Sequence, residues 1–156
     1  MQIQDMTRAM IFDLLKTTRI GRIACAQDAQ PYITPFSFAY ADGALYAFAT
    51  PGMKVEWMRA NPLVCVEAED IVSREEWRTI VIFGRYTELT DAPDFDAARG
   101  YAHDLLSAIP SWWEPGYARM VRAGTERPVY FRISIDDVSG RQGVPDRIGR
   151  SIDRPA

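Results

Sequence analysis

Lysine is almost absent from this chain: of its 18 basic residues only Lys16 and Lys54 are lysines, and arginine carries the rest. Histidine is scarcer still, with His103 alone, and cysteine is limited to Cys25 and Cys65. One imidazole and two separated thiols supply neither a Cys/His metal site nor a catalytic triad, and no GxSxG elbow occurs. Both cysteines fall in strand-like segments, where a reduced thiol packs as a small apolar group, so no disulfide is expected. No apolar run approaches the roughly 18 residues of a membrane span, and residues 1–13 lack a basic segment followed by a long apolar one. The expectation is a cytoplasmic protein without a membrane partner. A net charge of −3 and a sequence pI of about 5.2 give no reason to invoke nucleic acid. Internal repeats and low-complexity runs are lacking as well.

What is present fits one globular domain: 156 residues, 47% of them hydrophobic, are enough for a sizeable core. The expected domain spans residues 1–143, with a flexible tail at 144–156, where VPDRIGRSIDRPA is polar and Pro-containing. The chain is organised around residues 31–61. From 32 to 40 the bulky side chains alternate with smaller ones as in a pleated strand, Asp42-Gly43 supplies a tight turn, and residues 44–50 run back antiparallel. Thr50-Pro51-Gly52 then opens a helix over 52–60, with Thr50 as a candidate cap, and Asn61-Pro62 stops it.

The other elements follow by pattern. A short amphipathic helix over 6–16 has Thr7 as its cap, and residues 20–26 alternate as a strand. Residues 63–71 and 77–89 are strands, the second apolar on both parities from Thr79 to Phe83, so both its faces should be covered by a helix or a partner subunit. Gly84 marks a bend in it. A packing helix covers 94–109, with His103 beside its apolar stripe and read as a surface or boundary residue. Residues 129–137 close the sheet. The expected fold is mainly β, a six-stranded antiparallel barrel with outer helices, because turn-separated strands dominate and no βα alternation occurs. The surplus apolar surface on the long strand and the central hairpin predicts a two-fold homodimer. Trp112 and Trp113 beside Pro115-Gly116 are either core plugs or the wall of a site for a planar substrate.

Lys54 stands out at the start of the 52–60 helix. A helix N-terminus carries partial positive charge and favours acids, yet the first charged residue is a cation. A bound anion would resolve the conflict, with the amides of Gly52 and Met53, the Thr50 hydroxyl and the Lys54 ammonium converging on a phosphate. The alternative is a solvated surface lysine.

Arg19-Ile20-Gly21-Arg22-Ile23-Ala24, Pro31-Tyr32-Ile33-Thr34-Pro35, Asp42-Gly43-Ala44-Leu45-Tyr46, Gly52-Met53-Lys54 and Asn61-Pro62, taken in order and spacing, resemble the pyridoxamine 5'-phosphate oxidase-related flavoproteins, nearest the branch that includes nitroimidazole-resistance proteins. The likeness extends through 77–84 and 129–133. It implies a split β-barrel of Greek-key type that binds FMN across a homodimer interface. Lys54 matches the family's phosphate-binding position, with Thr50 just ahead of it. Met53 stands where many relatives have a second basic residue, so phosphate binding would lean on Lys54, backbone amides and Arg78. Thr34, Pro35 and Ser37 lie on the strand that passes the isoalloxazine edge in relatives, and Thr79 corresponds to a polar contact from the long strand. Phe48, ahead of Ala49 and Thr50, replaces a histidine associated with the active site of nitroimidazole-resistance proteins.

Unaided, the side chains assemble no chemistry, and no catalytic residue is identified. A redox function needs a cofactor, since side chains do not transfer hydrides. The leading expectation is an FMN-dependent oxidoreductase acting on a small organic or nitro compound. A related barrel using deazaflavin or haem, or a module that binds flavin without turnover, stands as the alternative.

Overall fold

The computed structural model describes residues 1–109, 124 and 127–146. Among them run β1 (Gln2–Asp5), α1 (Arg8–Thr17), β2 (Ile20–Gln27), β3 (Gln30–Ser37), β4 (Ala39–Ala41), β5 (Ala44–Ala49), α2 (Met53–Ala60), β6 (Leu63–Ile71), β7 (Trp77–Glu88), a 3-10 turn (Pro93–Phe95), α3 (Asp96–Ser107), β8 (Val129–Ser134) and β9 (Asp137–Val144). Every strand pairing is antiparallel.

The sheet follows the path β3-β2-β6-β7-β8-β5-β4, with β9 also on β7 and β1 on β9. The two ends of that path, β3 and β4, are consecutive in the chain and meet at Phe38, which is fully buried. The circuit is thus completed by the chain itself and not by a ladder of hydrogen bonds. This is a split barrel, mainly β, with helices outside it. It has nine strands among the described residues where the sequence pattern predicts six. The difference comes from β1 and β9 and from the division of residues 32–40 at Phe38, whose amide leaves the ladder to donate to the Arg19 carbonyl at 3.0 Å.

The hinge of the barrel is Gly84. Through Phe83 the long strand β7 pairs with β9, and from Tyr86 it pairs with β8. A Cβ on Gly84 would lie 2.0 Å from the Ser134 carbonyl oxygen, so the backbones cross where only a missing side chain lets them. Ile80 and Ile82 on the inner parity are fully buried with Ile23, Leu45, Val66, Phe131 and Ile133. Each contributes roughly 1.5–3 kcal/mol on burial.

The helices seat on this core by their apolar stripes. Thr7 caps α1 as the sequence predicts, its Oγ1 accepting from the Met10 amide at 3.3 Å, and Ile11, Leu14 and Leu15 are buried. Val55 and Met58 anchor α2, and α3 buries Ala102 and Leu106, Ala102 in a second small cluster with Tyr46 and Leu89. The Asp42-Gly43 turn has positive φ at both residues, 49° and 76°, as a tight hairpin requires.

The outer parity of the sheet is less covered than its sequence predicts. Pairing aligns Ile33, Ala24, Cys65 and Phe83 in one row across β3, β2, β6 and β7. Ile33 is 62% and Phe83 56% exposed. Among the described residues the expected cover of both faces of Thr79 to Phe83 is therefore not supplied. Among the described residues no helix is long and apolar enough to cross a membrane. Cys25 and Cys65 are both free.

Candidate functional site

The β5–α2 junction leaves a helix start without a cap. The N-cap of α2 is Gly52, which offers no side-chain hydrogen bond. Thr50, the sequence candidate, is exposed and does not cap. A Cβ on Gly52 would meet nothing within 4 Å, and the first amides of α2 have neither an intrahelical acceptor nor a side-chain cap.

Lys54 sits on the second position of this helix, partly buried. The first turn does contain an acid, Glu56, which an argument from the first charged residue alone misses, but its carboxylate pairs with Arg59 Nη1 at 2.6 Å. No carboxylate pairs with Lys54 among the described residues. Burial holds its pKa below the ordinary lysine value, and the nearby Cys25 on β2 opposes that shift. In turn, burial pushes the Cys25 thiol up and Lys54 draws it down. Lys54 is thus a partly desolvated ammonium without a carboxylate partner among the described residues, beside an uncapped helix start.

Register adds neighbours. Cys25 pairs with Tyr32 and Ile23 with Thr34, so Thr34 and Tyr32 share the inner face with Cys25. The Tyr32 ring meets Trp57 of α2 edge-on at 5.8 Å. Ser37, at the end of β3, has its Oγ buried without a partner among the described residues. Pro35 lies on the outer parity, opposite Arg22, whose guanidinium holds Glu67 and Glu69 at 3.0 and 2.8 Å.

The remaining predicted residues fall into three other places. Ala47 and Ala49 join the main core, whereas Phe48 points the opposite way along β5 and packs on Tyr130 at 6.0 Å between ring centres. Tyr130 Oη in turn lies 2.9 Å from His103 Nδ1. The lone histidine is exposed, as read from the sequence, yet tied into β8. Met53 is 50% exposed. Arg78 and Thr79 lie on β7, three strands from β3 in the same sheet, roughly 14 Å at the usual strand spacing. Arg78 pairs with Asp70. Thr79 lines a cavity of about 620 Å³ with Asp5, Arg8, Ser139 and Arg141. One chain therefore brings Thr34 and Lys54 into one neighbourhood and leaves Phe48, Arg78 and Thr79 outside it. Trp112 and Trp113 lie outside the described residues.

Sequence reasoning misses Cys25, Tyr32 and Trp57 as neighbours of Lys54. Trp57 carries a signal, one helical turn from Lys54; Cys25 carries none, because only strand register delivers it. No group of three or more His, Cys, Asp or Glu among the described residues could hold a metal ion.

Comparison with known proteins agrees with this architecture. The chain is similar to the FAD-binding protein mll6688 of Mesorhizobium loti, with a TM-score of 0.77 and 39% identity over 93% of this chain and 99% of that one. It is 34% identical over 144 residues to the uncharacterized protein RA0666 of Rhizobium meliloti (strain 1021), covering 90% of this chain and 95% of the relative. The FAD binding protein of Mycobacterium smegmatis shares the fold, with a TM-score of 0.68 at 19% identity over 91% of this chain and 99% of that one. The model of the pyridoxamine 5'-phosphate oxidase family matches residues 7–142, and the chain belongs to that family.

Proposed function

We propose that this protein is a flavin-dependent oxidoreductase that holds the phosphate of FMN, or of the FMN half of FAD, at the start of α2, and acts on a small organic or nitro compound. The observation that carries the reading is Lys54, a partly buried cation without a carboxylate partner among the described residues, beside helix amides with no cap. A phosphate there satisfies the amides and the charge together. That the mll6688 protein is FAD-binding at 39% identity supports a flavin here too.

Bound flavin supplies hydride transfer, which no side chain of this chain performs. The protein's own part is positional. Lys54 and the α2 amides fix the phosphate end, Thr34 offers a hydroxyl on the inner face of β3, and Tyr32 and Trp57 form an aromatic wall beside them. Trp112 and Trp113 are candidate walls for substrate.

The working unit is a two-fold homodimer, in which the exposed row Ile33-Ala24-Cys65-Phe83 is covered by its symmetry mate and the partner's β7 brings Arg78 and Thr79 toward a flavin held by Lys54. Free Cys25 and Cys65 suit a reducing, cytoplasmic setting.

The test is a calorimetric titration of FMN and riboflavin against wild type and Lys54→Ala. A charge-assisted phosphate contact of roughly 1.5–3 kcal/mol predicts a loss of about tenfold to a hundredfold in FMN affinity and almost none for riboflavin. Equal FMN affinities would return Lys54 to the solvated surface. Turnover is read separately, from the bleaching of flavin absorption with NAD(P)H and its return on adding substrate.

A further inference from the structure

We infer that the cavity between the start of α1 and the β7–β9 pair binds a small organic carboxylate, at a site separate from the one proposed at Lys54. Unequal strand lengths create it. β1 covers β9 only from Arg141 to Val144, so residues 137–140 have no strand on that flank among the described residues. The chain leaving β1 fills part of the gap: the Met6 amide donates to the Gly140 carbonyl at 2.8 Å, and Ile11 packs on Gly140. What stays open is a space of about 620 Å³, a size usual for organic ligands and far more than a bare ion needs.

Two cations line this space without close partners. The Arg8 guanidinium lies over the Phe12 ring at 5.1 Å and has no ion pair among the described residues, and the first turn of α1 holds no acid. Arg141 has Asp5 at 3.7 Å, beyond hydrogen-bonding distance. Arg22, on the same sheet, instead grips Glu67 and Glu69 at 3.0 and 2.8 Å. Register sets Thr79 opposite Arg141 and Ser139 opposite Val81, which puts two hydroxyls on one face with the Arg141 guanidinium. Met6, Ile11, Val81 and Val138 supply apolar lining for a hydrocarbon body, and a guanidinium fork matches a planar carboxylate. Charge selects among anions. Arg8 and Arg141 against Asp5 leave the lining at a net +1, which one carboxylate balances, whereas a phosphate dianion brings surplus negative charge beside Asp5.

The experiment is calorimetric titration of the full chain with benzoate, its neutral isostere benzamide, and phenyl phosphate. Wild type is compared with Arg8→Gln, Arg141→Gln, Asp5→Asn and Arg85→Gln, with thermal melting to confirm folding. Benzoate should bind wild type about tenfold tighter than benzamide, and tighter than phenyl phosphate. The Arg141 side chain is 72% exposed, so solvent screens its contact, and each of Arg8→Gln and Arg141→Gln should weaken benzoate about threefold to tenfold without affecting benzamide. Arg85→Gln, on β7 outside the lining, should change neither. Asp5→Asn should strengthen both anions, phenyl phosphate the more, which a purely structural role of Asp5 does not produce. Benzoate binding no tighter than benzamide, or unchanged in the Arg8 and Arg141 variants, would overturn the site. Thr79 is also the residue that the proposed homodimer turns toward the flavin, so displacement of benzoate by FMN would assign the cavity to the flavin and overturn it as well. Lys54→Ala should leave benzoate binding unchanged, so the two sites stand or fall separately.

Discussion

Replacing Lys54 by methionine separates the residue's structural cost from its proposed use, because methionine keeps an unbranched apolar stem and removes only the ammonium. Burial holds the Lys54 pKa below its ordinary value of 10.5, with Cys25 opposing. A cation whose folded pKa lies below its unfolded one destabilises the fold while protonated. Between those two pKa values the unfolded chain binds more protons, so wild-type stability rises with pH across that window, and the penalty is fully present below it. Unliganded Lys54→Met at pH 7 should therefore be more stable than wild type by about 0.5–2 kcal/mol, the usual gain on relieving an uncompensated group kept for function. For a chain of this length that is a rise in Tm of about 1–8 °C. The two melting curves should converge as pH approaches 10.5. Saturating FMN should reverse the order, since an affinity about tenfold to a hundredfold weaker in the variant forfeits about 1.4–2.7 kcal/mol of ligand stabilisation. Scanning calorimetry with and without FMN reads both effects. A variant that melts below wild type without ligand, or equal protection of both proteins by FMN, would refute the reasoning.

Other outcomes test other parts of the structure. Gly84→Ala places a methyl 2.0 Å from the Ser134 carbonyl oxygen at the point where β7 changes partners, and urea unfolding should show a loss of about 2–4 kcal/mol; a loss under about 0.5 would mean that the backbones are not locked there. Ile33→Asp with Phe83→Asp puts charge into the exposed row on the outer face, and sedimentation should fall from about twice the 17.7 kDa chain mass to the single mass. A double variant that still sediments as a pair would place the interface elsewhere. The Arg59 hydrogen bonds lower the Glu88 pKa from its usual 4.5. The stability they contribute is present above that value and lost as pH falls through the folded pKa. Glu88→Gln should thus cost about 1 kcal/mol at pH 7, and that cost should shrink as pH is lowered below 4.5; a cost that does not change with pH would assign the effect to shape and not charge.

Local chemistry alone determined much of this protein. The alternation of residues 20–26, the positive-φ turn at Asp42-Gly43, the Thr7 cap and the stop at Asn61-Pro62 are short-range effects, and the structure keeps each of them. The odd cation at the start of α2 was visible for the same reason, since a helix terminus and its first charges are neighbours in sequence. Tertiary structure decided the rest. β9 escaped the sequence because its glycines have low strand propensity; they are there because Ile11 packs down on Gly140 and Trp77 on Gly143, contacts no local pattern announces. β1 has no alternation to read, being exposed throughout and held by its ladder to β9. The division at Phe38 needs the Arg19 carbonyl, which only the folded barrel presents. The same limit governs the site. Lys54 could be singled out from its helix, but its neighbour Cys25 and the separation of Thr34 from Thr79 by three strands depend on register and strand order, which are set by the burial of one sheet face against another and not by any residue's neighbours in the chain.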